Sequence, residues 1–161
     1  MTTLSEHVRL ACPQRLAQVY LDSRLLPVAS AEREVPMSLT APIPGLHLEP
    51  ATDVLLSVEC DASARDGQVW KLKWRVPGSK SFPEFSGVLA VRPGDSRSAS
   101  SLTLTGAYTP PFGALGTAFD MAVGSRIASA TARTLLQTFG ADIERLYAER
   151  AQTLEAHRAG R

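Results

Sequence analysis

Residues 108–150, YTPPFGALGTAFDMAVGSRIASATARTLLQTFGADIERLYAER, limit what this chain can fold into more than any other stretch. They begin as the end of a strand, turn through Pro110, Pro111, Gly113 and Gly116, and become the one long segment with helical periodicity. Leu115, Phe119, Val123, Ile127, Ala130, Leu135, Phe139, Ile143, Leu146 and Tyr147 recur at spacings of three and four, with Arg126, Arg133, Gln137 and Arg145 filling the gaps. A helix from about Phe119 to Arg150 is roughly 45 Å long at ~1.5 Å per residue. That exceeds a typical strand, so the helix overhangs its partner or bends, with Gly124 and Gly140 as the places for a bend. Residues 151–161 are expected to fray.

An amphipathic helix of this length needs an apolar surface to lie on, and the preceding chain supplies one. Four segments alternate with a period of two. Val54, Leu56, Val58 and Cys60 share a face. So do Trp70, Leu72, Trp74 and Val76, with Lys71, Lys73 and Arg75 opposite. Phe85, Gly87, Leu89 and Val91 form a third set, and Leu102, Leu104, Gly106 and Tyr108 a fourth. The connections DASARDGQ, PGSKSFPE and RPGDSRSAS suit antiparallel hairpins. A sheet with one greasy and one polar face is covered on one side only.

The N-terminal half is less regular. Residues 4–12 alternate weakly and read as a short strand ended by Pro13. PQRLAQVYLDSRLL reads as a helix of about three turns with Leu16, Val19, Tyr20 and Ser23 on one side, closed by Pro27. Residues 28–52 are broken by Pro36, Pro42, Pro44, Gly45 and Pro50, with VPMSLT as a candidate sixth strand.

At 161 residues the chain fits a single domain. A net charge of +1 gives no bulk attraction to nucleic acid or an anionic membrane. The N-terminus lacks the pattern of a signal peptide, and no apolar run is long enough to span a membrane, which points to a cytoplasmic protein. Cys12 and Cys60 make neither a disulfide framework nor a zinc site and read as reduced thiols. The absence of asparagine and the excess of arginine over lysine suggest a GC-rich bacterial genome.

Chemistry-bearing motifs are scarce. His7, His47 and His157 lie in different segments without partners at metal-ligand spacing. There is no nucleophile elbow, phosphate loop or dinucleotide fingerprint, so neither a metal nor a cofactor is implied. Lys71, Lys73 and Arg75 read as a solvated outer face, and Asp120 as a carboxylate favoured by a helix start. The large rings of Trp70, Trp74, Phe85 and Tyr108 share a face with Gly87 and Gly106. Either the core packs around the glycines, or an apolar pocket opens between sheet and helix.

The strings FPEFSGVLAV, LTLTGAYTPPFGALGTAFD and RIASATARTLL resemble the bacterial START-like (SRPBCC) superfamily, which includes polyketide cyclases, aromatases and lipid-binding proteins. The connection G-x-Y-x-P-P-x-G-x-x-G-x-x-x-D is matched by Gly106, Tyr108, Pro110, Pro111, Gly113, Gly116 and Asp120. The motif covers residues 82–136; the first half resembles the family only in the order of its elements. The resemblance implies an α+β helix-grip fold, a curved antiparallel sheet wrapped around a long C-terminal helix, with a hydrophobic cavity between them.

The expected function is binding of a small hydrophobic molecule, such as a lipid, isoprenoid or polyketide. Trp70, Leu72, Trp74, Phe85, Leu89, Leu104 and Tyr108 would line the sheet side, and Phe119, Val123, Ile127 and Ala130 the helix side. No catalytic residue of the family maps onto the chain. The alternative is a cyclase- or aromatase-like enzyme using Tyr108, Asp120, Arg126 and Thr131. A further alternative is an interaction domain with a collapsed core, forming a homodimer through the helix beyond Gly140.

Overall fold

The computed structural model describes residues 2–30, 35–39, 52–62, 68–75, 84–109 and 118–159. Within them the chain runs β1 (Thr2–Leu10), α1 (Gln14–Ser30), β2 (Val35–Leu39), β3 (Thr52–Asp61), β4 (Val69–Arg75), β5 (Glu84–Pro93), β6 (Ser100–Thr109) and α2 (Ala118–Ala159). The strands form one antiparallel sheet in the order β1-β6-β5-β4-β3-β2. Strands β1 and β2 occupy opposite edges, so the chain between them, carrying α1, must cross the sheet. The helices cover one face. This is the α+β helix-grip arrangement expected from the sequence, and VPMSL is a true sixth strand.

The alternation sorts the residues as expected. Trp70, Leu72 and Trp74 are buried while Lys71, Lys73 and Arg75 are exposed, with Lys71 paired to Asp61 at 3.1 Å. Residues 28–34 and 40–51 of the irregular stretch, apart from the end of α1, lie outside the described residues, as do Val76 and His47.

Helix α2 lies along β1, held by three ties. Arg133 Nε donates to Glu6 Oε2 at 2.9 Å, and Glu144 Oε1 accepts the Ala11 N–H at 2.7 Å. Between them Gly140 rests on the strand, where a Cβ would come 3.2 Å from Leu10 Cδ2 and 3.4 Å from Val8 Cγ1. From Arg133 to Glu144 the helix rises about 16 Å, and from Glu6 to Ala11 an extended chain advances about 16 Å. Helix and strand therefore run parallel and in step. Gly140 was expected as a bend; its service here is to let the two backbones approach.

Three differences concern the helices. On α1 the buried residues are Ala17, Tyr20, Leu21 and Leu25, whereas Val19 is 55% exposed and Ser23 is exposed. Apolar residues lie nearly all round this helix, so spacing alone does not set its rotation. Polar ties do: Asp22 accepts the Trp70 indole N–H, and Arg24 pairs with Asp142 on α2. Pro27 lies inside the helix instead of closing it. The carbonyl that Pro27 leaves without a donor belongs to Ser23, whose exposed position admits water. On α2 the helix continues to Ala159 where fraying was expected. Residues 148–159 are all exposed, beyond the end of the sheet. Among the described residues, no helix is long and apolar enough to cross a membrane.

Two tests follow from this docking. Gly140→Ala should stay within about 1 kcal/mol of wild type, because ~1 kcal/mol of helix propensity offsets a squeeze on the flexible end of Leu10. Gly140→Leu should lose about 1–3 kcal/mol, read from the urea midpoint. The second test uses Asp142. Burial alone would raise its pKa, but hydrogen bonds from Arg24 and Arg145 outweigh it and hold the carboxyl below the usual range. A carboxyl lowered in the folded state stabilises the fold above its unfolded pKa of about 4, and that contribution is lost as pH falls through the folded value. The wild-type urea midpoint should therefore drop more steeply than that of Asp142→Asn as pH falls below about 4. Equal slopes would contradict the tie.

Candidate functional site

Strand pairing arranges the inner face of the sheet in rungs. One rung is Leu56–Trp74–Phe85–Tyr108, ending at Thr2. The next is Val58–Leu72–Gly87–Gly106–Leu4, and the third Cys60–Trp70–Leu89–Leu104–Glu6. The seven sheet residues expected to line a pocket thus fall on three adjacent rungs, and every one is buried. They do not share one environment.

The Trp70 rung is sealed. The indole Nε1 donates to Asp22 Oδ1 at 2.9 Å, and Asp22 also accepts from Gln18 at 2.8 Å. Helix α1 packs on β3 and β5 here, and its start is tied to the sheet by Gln14 Nε2 on the Val91 carbonyl. Ser100 Oγ closes the same end by donating to the Cys12 carbonyl at 2.7 Å. The Cys12 thiol is wholly buried, and burial with the nearby Glu144 charge pushes its pKa up to about 11, so it is an inert thiol. Trp70 is therefore a buried part of the core, bonded to a helix.

The Trp74 rung lies about 13 Å further along β4. Here the rings of Trp74 and Phe85 stack, with centroids 3.9 Å apart and planes 13° from parallel. The two glycines of the middle rung face each other across β5 and β6. Their missing side chains do not leave a hole: a Cβ on Gly106 would lie 2.6 Å from Phe85 Cζ, and one on Gly87 would also run into that ring. The uneven volume inferred from the sequence is filled by Phe85.

The helix register locates the other wall. Counting back from Arg133 opposite Glu6 at ~1.5 Å per residue, Ala130 falls near Ser5 and Ile127 near Thr3. By the same count Val123 is level with Thr2 and Tyr108, and Phe119 is about one turn beyond the last rung. Ala130 is half-buried; the fully buried positions of this part of α2 include Ala128, Thr131 and Ala132. The side chains of Phe119, Val123 and Ile127 lie outside the described residues; further along the expected stripe, Leu135 and Ile143 are buried, with Ala132 and Leu136 beside them.

Tyr108 and Thr131 are buried, Arg126 is exposed, and the Asp120 side chain lies outside the described residues. Among the described residues, no three His, Cys, Asp or Glu side chains are grouped to hold a metal ion. Sequence reasoning missed Asp22, whose only signal was a carboxylate beside the apolar face of α1. It also missed Tyr20, whose buried hydroxyl has no hydrogen-bond partner among the described residues.

No family model matches the chain, and no curated protein matches it significantly in sequence. Solved structures do. A conserved protein from Geobacillus kaustophilus aligns over 92% of this chain and 96% of its own, at 17% identity and a TM-score of 0.54. A START superfamily protein from Mycobacterium smegmatis aligns over 89% and 98%, at 12% identity and a TM-score of 0.49. A di-domain ARO/CYC protein aligns over 90% of this chain and 46% of its own, at 15% identity and a TM-score of 0.47. The fold comparison rests on the Geobacillus protein. At this identity the likeness extends to the fold alone.

The sealed end makes a direct prediction. Asp22→Ala should leave the Trp70 indole N–H unpaired in the interior and cost about 1–3 kcal/mol in urea unfolding. Asp22→Asn, which keeps an acceptor oxygen, should cost clearly less. Equal losses would mean that the hydrogen bond is not what holds α1 to the sheet.

Proposed function

We propose that this chain binds a small hydrophobic molecule, such as a lipid, isoprenoid or polyketide, between the Trp74 rung and the first turns of α2. One observation carries the reading. Leu56, Trp74, Phe85 and Tyr108 form an apolar rung at the end of the sheet away from α1's tie to Trp70. These side chains are already almost wholly buried and stabilise the fold; a guest seated against them would be held by the apolar surface it buries of its own, about 25 cal/mol per Å².

In this reading Leu72, Leu89 and Leu104 form the deep floor, and Trp70 supports the site from the sealed end. Residues 118–130 of α2 pass over the rung and supply the other wall through Phe119, Val123, Ile127 and Ala130. The Tyr108 hydroxyl is the group suited to orient a polar end of the ligand. The arrangement favours holding a molecule over transforming it, because Arg126, a candidate for the enzyme alternative, points to solvent. The dimer alternative also loses its main support. Ile143 is buried, and Leu146 and Tyr147 pack against this chain's own core. The exposed overhang, residues 148–159, carries Leu154 as its one large apolar side chain.

The test is native mass spectrometry of the protein as purified, followed by solvent extraction. The expected result is an adduct of a few hundred daltons that is lost on extraction and is reduced in Trp74→Ala. A bare polypeptide mass in every preparation, with no uptake of added palmitate, would count against the binding reading.

A further inference from the structure

We infer that Phe85 is the residue that limits the depth of the proposed pocket, and so the size of ligand that the chain accepts; the inference rests on the binding reading above. The warrant is the hollow formed by Gly87 and Gly106. These two glycines pair directly across β5 and β6, in the rung next to that of Phe85. A side chain at either would collide with backbone: a Cβ on Gly87 would lie 2.6 Å from the Thr105 carbonyl oxygen, and one on Gly106 would lie 2.5 Å from Gly87 Cα. The hollow is therefore fixed in the backbone, and neither position can fill it for itself. Phe85 fills it instead. Its ring leans along β5 onto both glycines and carries the Trp74 ring stacked at 3.9 Å.

Phe85 thus does the work of a plug. It is 2% exposed, carries no polar atom on its side chain, and sits at the centre of the rung between Trp74 and Tyr108. A smaller residue at 85 would deepen the space by the volume of a ring without disturbing the ties of α2 to β1 or of α1 to Trp70. Residues elsewhere on the sheet lack this property. Leu89 and Leu104 stand on the Trp70 rung, the end closed by α1, so trimming them opens space away from the Trp74 rung.

The experiment is calorimetric titration of straight-chain fatty acids, from octanoate to hexadecanoate, into wild type, Phe85→Ala and Phe85→Leu, with near-ultraviolet circular dichroism to confirm the fold. Phe85→Ala should move the tightest-binding length upward by about two carbons and strengthen binding of that longer acid roughly tenfold, as expected for two further buried methylenes. Phe85→Leu should move it in the same direction by a smaller step, and carries the test if the alanine variant fails to fold. An unchanged length optimum in a folded variant overturns the role of Phe85 while leaving the pocket intact. Wild type that binds none of the acids overturns the pocket itself.

Discussion

Everything else in this molecule is referred to the docking of α2 on β1. The helix has 42 residues and the strand nine, roughly 63 Å against 30 Å, so most of the helix cannot rest on the edge strand. Which part does so decides what the remainder faces. Gly140 marks the place of close approach, where a Cβ would lie 3.2 Å from Leu10 Cδ2 and 3.4 Å from Val8 Cγ1. Arg133 on Glu6 and Glu144 on Ala11 settle the register on either side. Exposed ion pairs of this kind contribute little stability by themselves; their value is in fixing the slide. With the register set, residues 148–159 project past the sheet.

The same docking divides the core. At one end α1 is locked between sheet and α2 by Asp22 on Trp70 and by Arg24 on Asp142. At the other, Trp74, Phe85 and Tyr108 present an unbroken aromatic rung. An interior packed to ordinary density has no use for a glycine pair in the middle of two strands, since each glycine weakens its strand. Here the pair makes room for a ring folded down from the neighbouring rung.

Much of the fold was legible in the sequence. The alternation of Trp70, Leu72 and Trp74 against Lys71, Lys73 and Arg75 marked the covered face without ambiguity. The motif around Gly106, Tyr108 and Pro110 carried the START-like resemblance. What the sequence could not convey was rotation and contact. Val19 and Leu25 are equally apolar, and only the partners of Asp22 and Arg24 decide which one is buried. Gly140 looked like a bend because a helical pattern records the cost of glycine but not the strand behind it. The rings and glycines on one face were correctly read as uneven volume. That Phe85 fills the hollow follows from cross-strand register, which a single strand does not encode. Trp70 and Trp74 looked equivalent for the same reason, until the position of α1 separated them.

That separation gives the most direct test of the account. The chain has two tryptophans, hence two indole N–H signals in a nitrogen-15 correlation spectrum, assignable by Trp70→Phe and Trp74→Phe. One reports on the sealed end and the other on the proposed site. Titration with decanoate should shift the Trp74 signal progressively and leave the Trp70 signal, bonded to Asp22, in place. A titration that moves neither signal, or moves Trp70 while Trp74 stays fixed, would contradict the account.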